Sequence, residues 1–406
     1  MARYLNRDLS PSVGRALDSM PVVVVTGMRQ VGKTTLLRND PALRNRQYLS
    51  LDDFTTSRAA ETAPEALLDV AQPLTIDEVQ KAPHLMDALK VAVDAARRPG
   101  RYLLSGSANL LLMNRVTETL AGRAVYLTLH PMTRRELLGS DSPPFLVSLL
   151  EEGRPSAAEA SPPFRMAEVV RGGMPPVALD RADPAIWFQG FEQTYLERDI
   201  RALAQVGDLT TFQRFLRLTA LRTGKLLNLS NLARDAGLAA STATRYLGLL
   251  ETSFSILRVP PFLRNPTKRL VKASKIYVAD AGLASHLVGD RSDPMSPSDP
   301  HSGALLETHV AVNLAGILGA WRPRSSLCFW NIQGRYEVDF VIEDGPRTVA
   351  IEVKAGSRWR AEDLRGLNRF LAAHPDCIAG LLACDIPELT PIGDRVWAVP
   401  LGQLLS

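Results

Sequence analysis

The chain has 406 residues, of which 46% are hydrophobic and 22% are charged, and its formal net charge is +4. This composition is typical of a soluble globular protein with two or three domains and large cores. The opening segment lacks the apolar stretch of a signal peptide, and the three cysteines form no C-x-x-C pair. No uninterrupted apolar run is long enough to span a bilayer, so we predict a cytoplasmic protein with no membrane segment of its own.

A strand followed by a phosphate-binding loop is predicted near the start of the chain. Residues 22–25 are four consecutive valines, which indicates a strand buried on both faces of a parallel sheet. Residues 27–34 match G-x-x-x-x-G-K-[ST], in which backbone N–H groups and the lysine hold phosphates and the threonine binds Mg²⁺. The predicted nucleotide-binding residues are Gly27, Met28, Arg29, Gln30, Val31, Gly32, Lys33, Thr34 and Thr35. The motif predicts binding of a nucleoside triphosphate.

Strands and helices alternate after this loop. A lead-in helix or loop is expected over residues 1–20, helices at 35–38, 59–70 and 84–98, and strands at 47–51, 74–77, 102–107 and 125–129. This alternation predicts a parallel α/β sheet with ligand-binding groups at the carboxyl ends of its strands. Residues 139–164 are rich in Pro, Ser, Ala and Glu, so a loop or excursion is expected there.

Polar residues at the ends of two predicted strands are candidates for nucleotide chemistry. Asp77 can hold Mg²⁺, and the adjacent Glu78 can orient or deprotonate an attacking water, which implies hydrolysis rather than binding alone. Ser105 and Ser107 end the next strand, where a hydroxyl can contact the γ-phosphate or the water. The alternative for these serines is an ordinary turn.

One arginine is a candidate for stabilising the charge that develops on the phosphates. We expect Arg123 to have this role, either within its own chain or on the nucleotide of a neighbouring subunit. Arg134 and Arg135 are alternatives, and an ordinary surface role remains open for all three.

A helix-turn-helix is predicted at residues 226–250, within a mainly helical segment. Two strands at 254–259 and 275–279 flank a basic stretch, which completes the pattern of a winged helix. The predicted DNA contacts are Ser241, Thr242 and Arg245 on the second helix and Lys268 and Arg269 in the basic stretch. A winged helix that serves only protein packing is the alternative.

A second group of polar residues follows a linker predicted at residues 289–303. Its members are Glu307 on a helix, Asp339 on a strand, and Glu352 with Lys354 on the next strand. Residues two apart on a strand point to one face, and paired carboxylates with a lysine can bind Mg²⁺ and activate water. This group resembles the PD-(D/E)xK site of restriction-endonuclease-like domains, with Val338 in place of the usual proline. The alternative is an ion-paired structural centre without metal.

Further stretches of the sequence carry a family resemblance together with the phosphate loop. They are LTIDEVQ, LLSGSANLLL, LAGR and the Gly-Gly-Met-Pro of residues 172–175. With them the chain resembles prokaryotic AAA-like ATP-binding proteins close to the archaeal-type ATPases. The resemblance implies a P-loop NTPase α/β sheet of the additional-strand catalytic-glutamate type that uses ATP and Mg²⁺, with Asp77 as the Mg²⁺ residue and Glu78 as the base. No second sensor arginine is evident in the helical lid, which leaves the mechanism between subunits open.

Three domains are expected, at residues 1–180 (AAA-like P-loop ATPase), 181–288 (helical lid and winged helix) and 303–406 (nuclease-like). The predicted function is an ATPase whose cycle drives or gates a DNA-interacting, nuclease-like module, in a homo-oligomer. One alternative is a nucleotide-dependent interaction switch with an inactive nuclease fold. Another is a metal-dependent nuclease for which ATP only licenses assembly.

Overall fold

Three sheets with surrounding helices make up the described part of the chain. The computed structural model describes residues 4–106, 120–156, 161–195, 208–263, 269, 272–289 and 301–406. The sheets have five, three and six strands, and the strands of each sheet come from one segment of the chain.

The first sheet is entirely parallel and has the strand order β2-β3-β4-β1-β5. Its strands are β1 (Val22–Thr26), β2 (Gln47–Ser50), β3 (Leu74–Asp77), β4 (Tyr102–Ser105) and β5 (Ala124–Thr128). The parallel α/β sheet predicted from the sequence is therefore confirmed. Because β4 lies between β1 and β3, the strand that feeds the phosphate loop is separated by one additional strand from the strand that ends at Asp77.

Helices connect these strands and continue beyond them. They are α1 (Ser10–Ser19), α2 (Lys33–Asn39), α3 (Phe54–Thr62), α4 (Pro64–Leu68), α5 (Leu85–Ala95), α6 (Arg134–Leu138) and α7 (Phe145–Glu152). The single helix predicted at 59–70 is instead two helices, since Pro64 begins the second one. The loop predicted at 139–164 is also wrong in part, because α7 lies within it and buries five apolar residues.

The middle of the chain is mainly helical around a small antiparallel sheet of order β6-β8-β7. Its elements are α8 (Met166–Arg171), α9 (Pro175–Ala178), α10 (Pro184–Thr194), α11 (Leu209–Ala220), β6 (Lys225–Leu226), α12 (Leu229–Ala236), α13 (Ala240–Thr252), β7 (Ile256–Val259), β8 (Lys275–Val278) and α14 (Ala281–Val288). Gly237 has a φ of 69° at the end of α12 and makes the tight turn into α13.

The third sheet is mixed, with the strand order β13-β14-β12-β11-β10-β9. This segment contains α15 (Ser302–Trp321), β9 (Ser326–Ile332), β10 (Tyr336–Asp344), β11 (Arg347–Val353), α16 (Arg365–Ala373), β12 (Cys377–Cys384), β13 (Thr390–Gly393), β14 (Val396–Pro400) and α17 (Leu401–Leu404). A 3₁₀ turn at Ala361–Leu364 leads into α16.

The three segments pack together around a shared core. One cluster of buried apolar residues contains members from all three sheets. The N–H of Phe262 donates to the carbonyl of Phe329 at 2.6 Å, which joins the middle segment to the edge of the third sheet. Contacts between segments therefore position side chains from different parts of the chain against one another.

Helix α15 runs through this shared core. It is long and apolar enough to cross a membrane, with a mean hydropathy of 1.3 over its most apolar window. However, 72% of that window is buried inside the protein, as in the core helix of a folded domain. Its length and composition are therefore weak support for a membrane span.

Candidate functional site

The phosphate loop joins β1 to α2 through two glycines with positive φ. Gly27 has a φ of 143°, and a Cβ there would lie 2.3 Å from the carbonyl oxygen of Leu129. Gly32 has a φ of 98° and is the residue before the first turn of α2. Since L-residues with a side chain rarely adopt these angles, both positions of the motif need glycine for the backbone to take this path.

The side chains of the loop divide into buried and exposed groups. Met28 and Val31 are buried in the core, so they contribute only their backbone to the inner face of the loop. Lys33 is buried too, and its Nζ donates to the carbonyl oxygens of Gly27 and Met28, each at 2.9 Å. The ammonium group thus already lies within the curve of the loop, where a phosphate group would be bound. The remaining predicted nucleotide-binding side chains are half-buried (Arg29) or exposed (Gln30, Thr34, Thr35).

The carboxylate of Asp77 accepts hydrogen bonds from several polar side chains of the first domain. Thr34 Oγ1 donates to Asp77 Oδ2 at 2.7 Å, and Ser105 Oγ donates to Asp77 Oδ1. Tyr48 OH also donates to Asp77 Oδ2, at 2.6 Å. Asp77 and Ser105 end neighbouring parallel strands, and Thr34 is in the first turn of the helix that follows β1, which is why these three residues converge. Tyr48 reaches Asp77 from within β2. A hydroxyl and a carboxylate in contact form a ligand pair that suits Mg²⁺.

Glu78 lies next to this group in an unusual backbone conformation. Its φ of 61° is left-handed, which is uncommon for a residue with a side chain and typical of functional sites. Gln80 Nε2 donates to Glu78 Oε2. Burial raises the pKa of the Glu78 carboxyl, and the hydrogen bond from Gln80 opposes that shift. The structure therefore holds Glu78 beside Asp77 but with one oxygen engaged.

The predicted arginines are all engaged in contacts away from the phosphate loop. The Arg123 guanidinium makes two hydrogen bonds to Asp94, at 2.6 and 2.8 Å. Arg134 and Arg135 are buried in ion pairs with Glu168 and Asp8, each at 2.8 Å. Both arginines are therefore held in buried ion pairs, and a role for either at a nucleotide stays a prediction. The predicted Ser107 lies outside the described residues.

Sequence reasoning missed two residues that support the loop and Asp77. Tyr48, whose burial and hydrogen bond to Asp77 raise its pKa to about 12, is a neutral donor at physiological pH. Arg7 is only 6% exposed and donates to the carbonyl oxygens of Val31 at 2.8 Å and His130 at 2.6 Å. Its Nε lies 3.0 Å from Glu136 Oε1. No local motif marks either residue, because both act through contacts distant in sequence.

Comparison with known proteins agrees with this geometry. Residues 19–138 match the AAA domain family, and residues 166–293 and 302–404 match two domains of unknown function, DUF8612 and DUF4143. The uncharacterized protein Rv2008c of Mycobacterium tuberculosis is 31% identical over 405 residues, which cover 98% of this chain and 84% of that protein. The chain belongs to the same family as this mycobacterial protein. Residues 19–138 of the present chain form an AAA-type P-loop ATPase domain, which confirms the prediction of a P-loop ATPase in the N-terminal part.

More distant similarities were also found. An uncharacterized protein of Haemophilus influenzae is 24% identical over 307 residues, covering 68% of this chain and 71% of that protein. The Walker-type ATPase PABY2304 of Pyrococcus abyssi has a TM-score of 0.44 and 15% identity, covering 71% of this chain and 99% of that chain. The Holliday junction branch migration motor RuvB of Thermotoga maritima has a TM-score of 0.30 and 17% identity, and the match covers 63% of this chain and 90% of that chain.

The predicted recognition helix is α13, in the DUF8612 segment. Ser241 and Arg245 are exposed and Thr242 is partly buried, whereas Tyr246 and Leu250 are buried in the core. The Arg245 guanidinium lies over the Tyr246 ring, 5.7 Å from its centroid. A DNA-contacting role for this helix stays a prediction.

The predicted basic wing is only partly described. Lys268 lies outside the described residues, and Arg269 pairs with Glu343 of β10 at 2.9 Å. The guanidinium is therefore engaged within the protein, and a DNA-contacting role for Arg269 stays a prediction. Its observed contact instead joins the DUF8612 segment to the DUF4143 segment.

The predicted nuclease-like residues lie in the DUF4143 segment. Glu307 is on α15, Asp339 is on β10, Glu352 is on β11, and Lys354 is the residue that follows β11. Lys354 Nζ is 3.4 Å from Glu352 Oε1, so these two side chains share a face of the strand. Within the described ranges, no group of three or more His, Cys, Asp or Glu side chains is arranged to hold a metal ion. The metal-binding role of Glu307, Asp339 and Glu352 therefore stays a prediction.

A lysine from the DUF8612 segment lies among these carboxylates. Lys275 Nζ is 2.8 Å from Glu307 Oε1, 2.6 Å from Glu337 Oε1 and 3.6 Å from Asp339 Oδ1. Tyr277 OH donates to the same Glu307 oxygen at 2.6 Å. Lys275 and Tyr277 are on β8, and the only sequence signal for them is a lysine at the start of an otherwise apolar strand.

Burial and neighbouring charges set the protonation of this cluster. Burial raises the pKa values of Glu307 and Glu352, and the Asp339 carboxylate raises both further. Burial opposes the charged form of Lys275, but the carboxylates of Glu307, Asp339 and Glu337 outweigh it and raise the lysine's pKa. Lys275 is therefore charged at neutral pH.

Proposed function

We propose that this chain is an Mg²⁺-dependent ATPase that uses ATP binding and hydrolysis to drive or gate a DNA-interacting, nuclease-like C-terminal module. The observation that carries the proposal is the convergence on Asp77. Its carboxylate contacts the hydroxyl of the motif threonine, Thr34, and the strand-end hydroxyl of Ser105, directly beside the phosphate loop. That arrangement suits a metal-bound triphosphate.

The roles in hydrolysis follow from these positions. Lys33 would exchange its bonds to loop carbonyls for bonds to the β- and γ-phosphates, and Thr34 with Asp77 would hold Mg²⁺, which neutralises phosphate charge. Glu78 would orient or deprotonate the attacking water once Gln80 releases its carboxylate. Ser105 would keep Asp77 in place.

An arginine close to the phosphates would stabilise the charge that develops there during hydrolysis. Arg123 remains our candidate in a homo-oligomer, and it would have to leave its two hydrogen bonds to Asp94 in order to act. Both Arg123 and Asp94 are near the surface, where solvent screens such a pair, so the exchange is energetically accessible.

Contacts between segments support a gating role. Arg7 contacts both the phosphate-loop carbonyl of Val31 and the Glu136 carboxylate at the start of α6. The N–H of Arg134, in the same turn, donates to Asn313 Oδ1 on α15 at 2.6 Å. Helix α15 also carries Glu307. A continuous set of contacts thus runs from the phosphate loop to the C-terminal cluster.

A second candidate function is a nucleotide-dependent interaction switch whose nuclease fold is inactive. The position of Lys275 among Glu307, Glu337 and Asp339 favours it, because those contacts form an ion-paired centre without metal. Under both candidates we place the ATPase at residues 1–180, the winged-helix part at 181–288 and the nuclease-like part at 303–406.

Replacing Glu78 tests the ATPase. Glu78→Gln should abolish ATP hydrolysis and leave ATP binding within about twofold of wild type, because it removes the base and keeps the shape. Glu65→Gln, on an exposed helix of the same domain, is the matched control and should turn over normally. Unchanged turnover in Glu78→Gln would remove Glu78 from the mechanism.

DNA dependence separates the two candidate functions. If the C-terminal module acts on DNA, the ATPase rate should rise with added DNA and Arg245→Ala should weaken that response. Arg234→Ala, at an exposed position on the preceding helix, is the control. A flat response to single-stranded, duplex and branched DNA would favour the interaction switch.

A further inference from the structure

The Lys275 ammonium occupies the centre of the acidic cluster. Its side chain is 4% exposed and lies within 3.6 Å of carboxylate oxygens from three residues, Glu307, Glu337 and Asp339. These residues come from α15 and β10 of the third sheet, whereas Lys275 comes from β8 of the middle sheet. The cation is therefore supplied by a different segment of the same chain.

The nearby carboxylate oxygens are largely committed to protein donors. Glu307 Oε1 accepts from both Lys275 and Tyr277, at 2.8 and 2.6 Å. Asp339 Oδ2 accepts from the N–H of Val353 at 2.9 Å, which leaves Oδ1 facing the lysine. Only Glu352 Oε2 is buried without a hydrogen-bond partner among the described residues of this cluster.

A divalent cation would need these same oxygens. Mg²⁺ binds carboxylate oxygens at about 2.1 Å and demands near-octahedral geometry. An ion bridging Glu307 and Asp339 would therefore lie within a few ångströms of the Lys275 ammonium. Two cations at that separation in a buried site repel each other strongly, so occupancy by one excludes the other.

The lysine of the PD-(D/E)xK-like pattern does not fill this position. Lys354 Nζ pairs instead with Glu352 Oε1 at 3.4 Å and Asp363 Oδ1 at 3.5 Å, towards solvent. Lys275 is thus a second ammonium, additional to the pattern, and it pairs with Glu307, Glu337 and Asp339.

We propose that Lys275 is a built-in cation that blocks the C-terminal cluster and locks the middle sheet to it. A divalent ion binds Glu307, Asp339 and Glu352 only when the Lys275 ammonium is withdrawn. The lock also orients Glu307 through Tyr277, so withdrawal of β8 releases two contacts on that carboxylate together. Control of this withdrawal by nucleotide rests on the proposed function. The exclusion of a divalent ion by Lys275 does not rest on it.

Manganese binding to the full chain tests whether Lys275 excludes a divalent ion from the cluster, and it requires no ATP turnover. Wild type, Lys275→Gln, Lys275→Arg and Asp339→Asn are stripped of metal, and Mn²⁺ binding is followed by electron paramagnetic resonance without nucleotide. Subtracting the Asp339→Asn signal leaves the ions held by this cluster, so weak binding near Asp77 does not count. Lys275→Gln should gain one Mn²⁺ per chain that neither wild type nor Lys275→Arg binds.

Two outcomes would overturn the proposal. The first is wild-type binding of an ion that Asp339→Asn abolishes, because Lys275 would then not exclude it; this comparison needs no Lys275 variant to fold. The second is a Lys275→Gln protein with the wild-type circular dichroism spectrum that still binds no ion. Neither result depends on Glu78, so failure of the lock and failure of the proposed ATPase are distinguishable.

Discussion

The contacts of Arg7 predict that stability and nucleotide binding can be separated by substitution. Arg7→Met removes a buried guanidinium that pairs with Glu136 and holds two carbonyl groups. Losing one partner of a buried ion pair costs about 3–5 kcal/mol, because the other charge stays buried without it. Glu136 keeps N–H donors from Asp8 at 2.7 Å and Thr133 at 2.8 Å, so we expect a loss near the lower limit, about 3 kcal/mol.

Nucleotide affinity should fall by a smaller amount in the same variant. The lost hydrogen bond to the Val31 carbonyl leaves the phosphate loop less well fixed, and one such bond contributes about 1 kcal/mol. That corresponds to an affinity roughly fivefold weaker. In Arg7→Met/Glu136→Gln the buried carboxylate is neutral, so part of the stability should return, while the affinity for nucleotide should stay low.

Two measurements on four proteins check this reasoning. Denaturant unfolding followed by circular dichroism gives the stability, and a fluorescent ATP analogue gives the affinity. Arg15→Met, at an exposed position on α1, is the matched control and should match wild type in both. An Arg7→Met stability within about 1 kcal/mol of wild type, or a double variant with fully restored affinity, would refute the role given to Arg7.

Two further predictions concern individual carboxylates. Tyr48→Phe removes the 2.6 Å hydrogen bond to Asp77, so half-maximal ATP turnover should require several-fold more Mg²⁺; an unchanged Mg²⁺ dependence would contradict this. Burial alone would raise the pKa of Glu192, but hydrogen bonds from His286, Gln213 and Arg217 lower it from 4.5 to about 2. Its contribution to stability is therefore present above pH 4.5 and is lost as the pH falls towards 2. In Glu192→Gln the denaturant midpoint of unfolding should depend less on pH between these values than it does in wild type.

Local patterns predicted the nucleotide site because its geometry follows from secondary structure. Four valines and a glycine-spaced loop determine where β1 ends and how the chain enters α2. The carboxyl ends of parallel strands lie at one edge, so Thr34, Asp77 and Ser105 had to meet once the sheet was predicted. The strand order itself, with β4 between β1 and β3, follows from the resemblance and not from any one strand.

The remaining contacts depend on packing between segments, which no periodic pattern encodes. Arg135 looks like a surface residue in sequence, yet it is almost fully buried against Asp8. Lys275 meets Glu307 only because α15 packs on β8. Helix α7 was missed because the prolines and serines around it outweighed its apolar residues, which are buried in the core.

Under the proposed gating, helix α15 is the element through which the two distant sites would influence each other. The Asn313 side chain accepts a hydrogen bond from the N–H of Arg134, in the first turn of α6, where Arg7 pairs with Glu136. Glu307 is six residues before Asn313 on the same helix, in which the rise is about 1.5 Å per residue. A shift of the phosphate loop that moves α15 therefore changes the distance between Glu307 and Lys275, since Lys275 belongs to another sheet. Such coupling would be reciprocal: under the proposed gating, a change that stabilises the Lys275 contacts would alter nucleotide affinity by the same factor by which nucleotide alters those contacts.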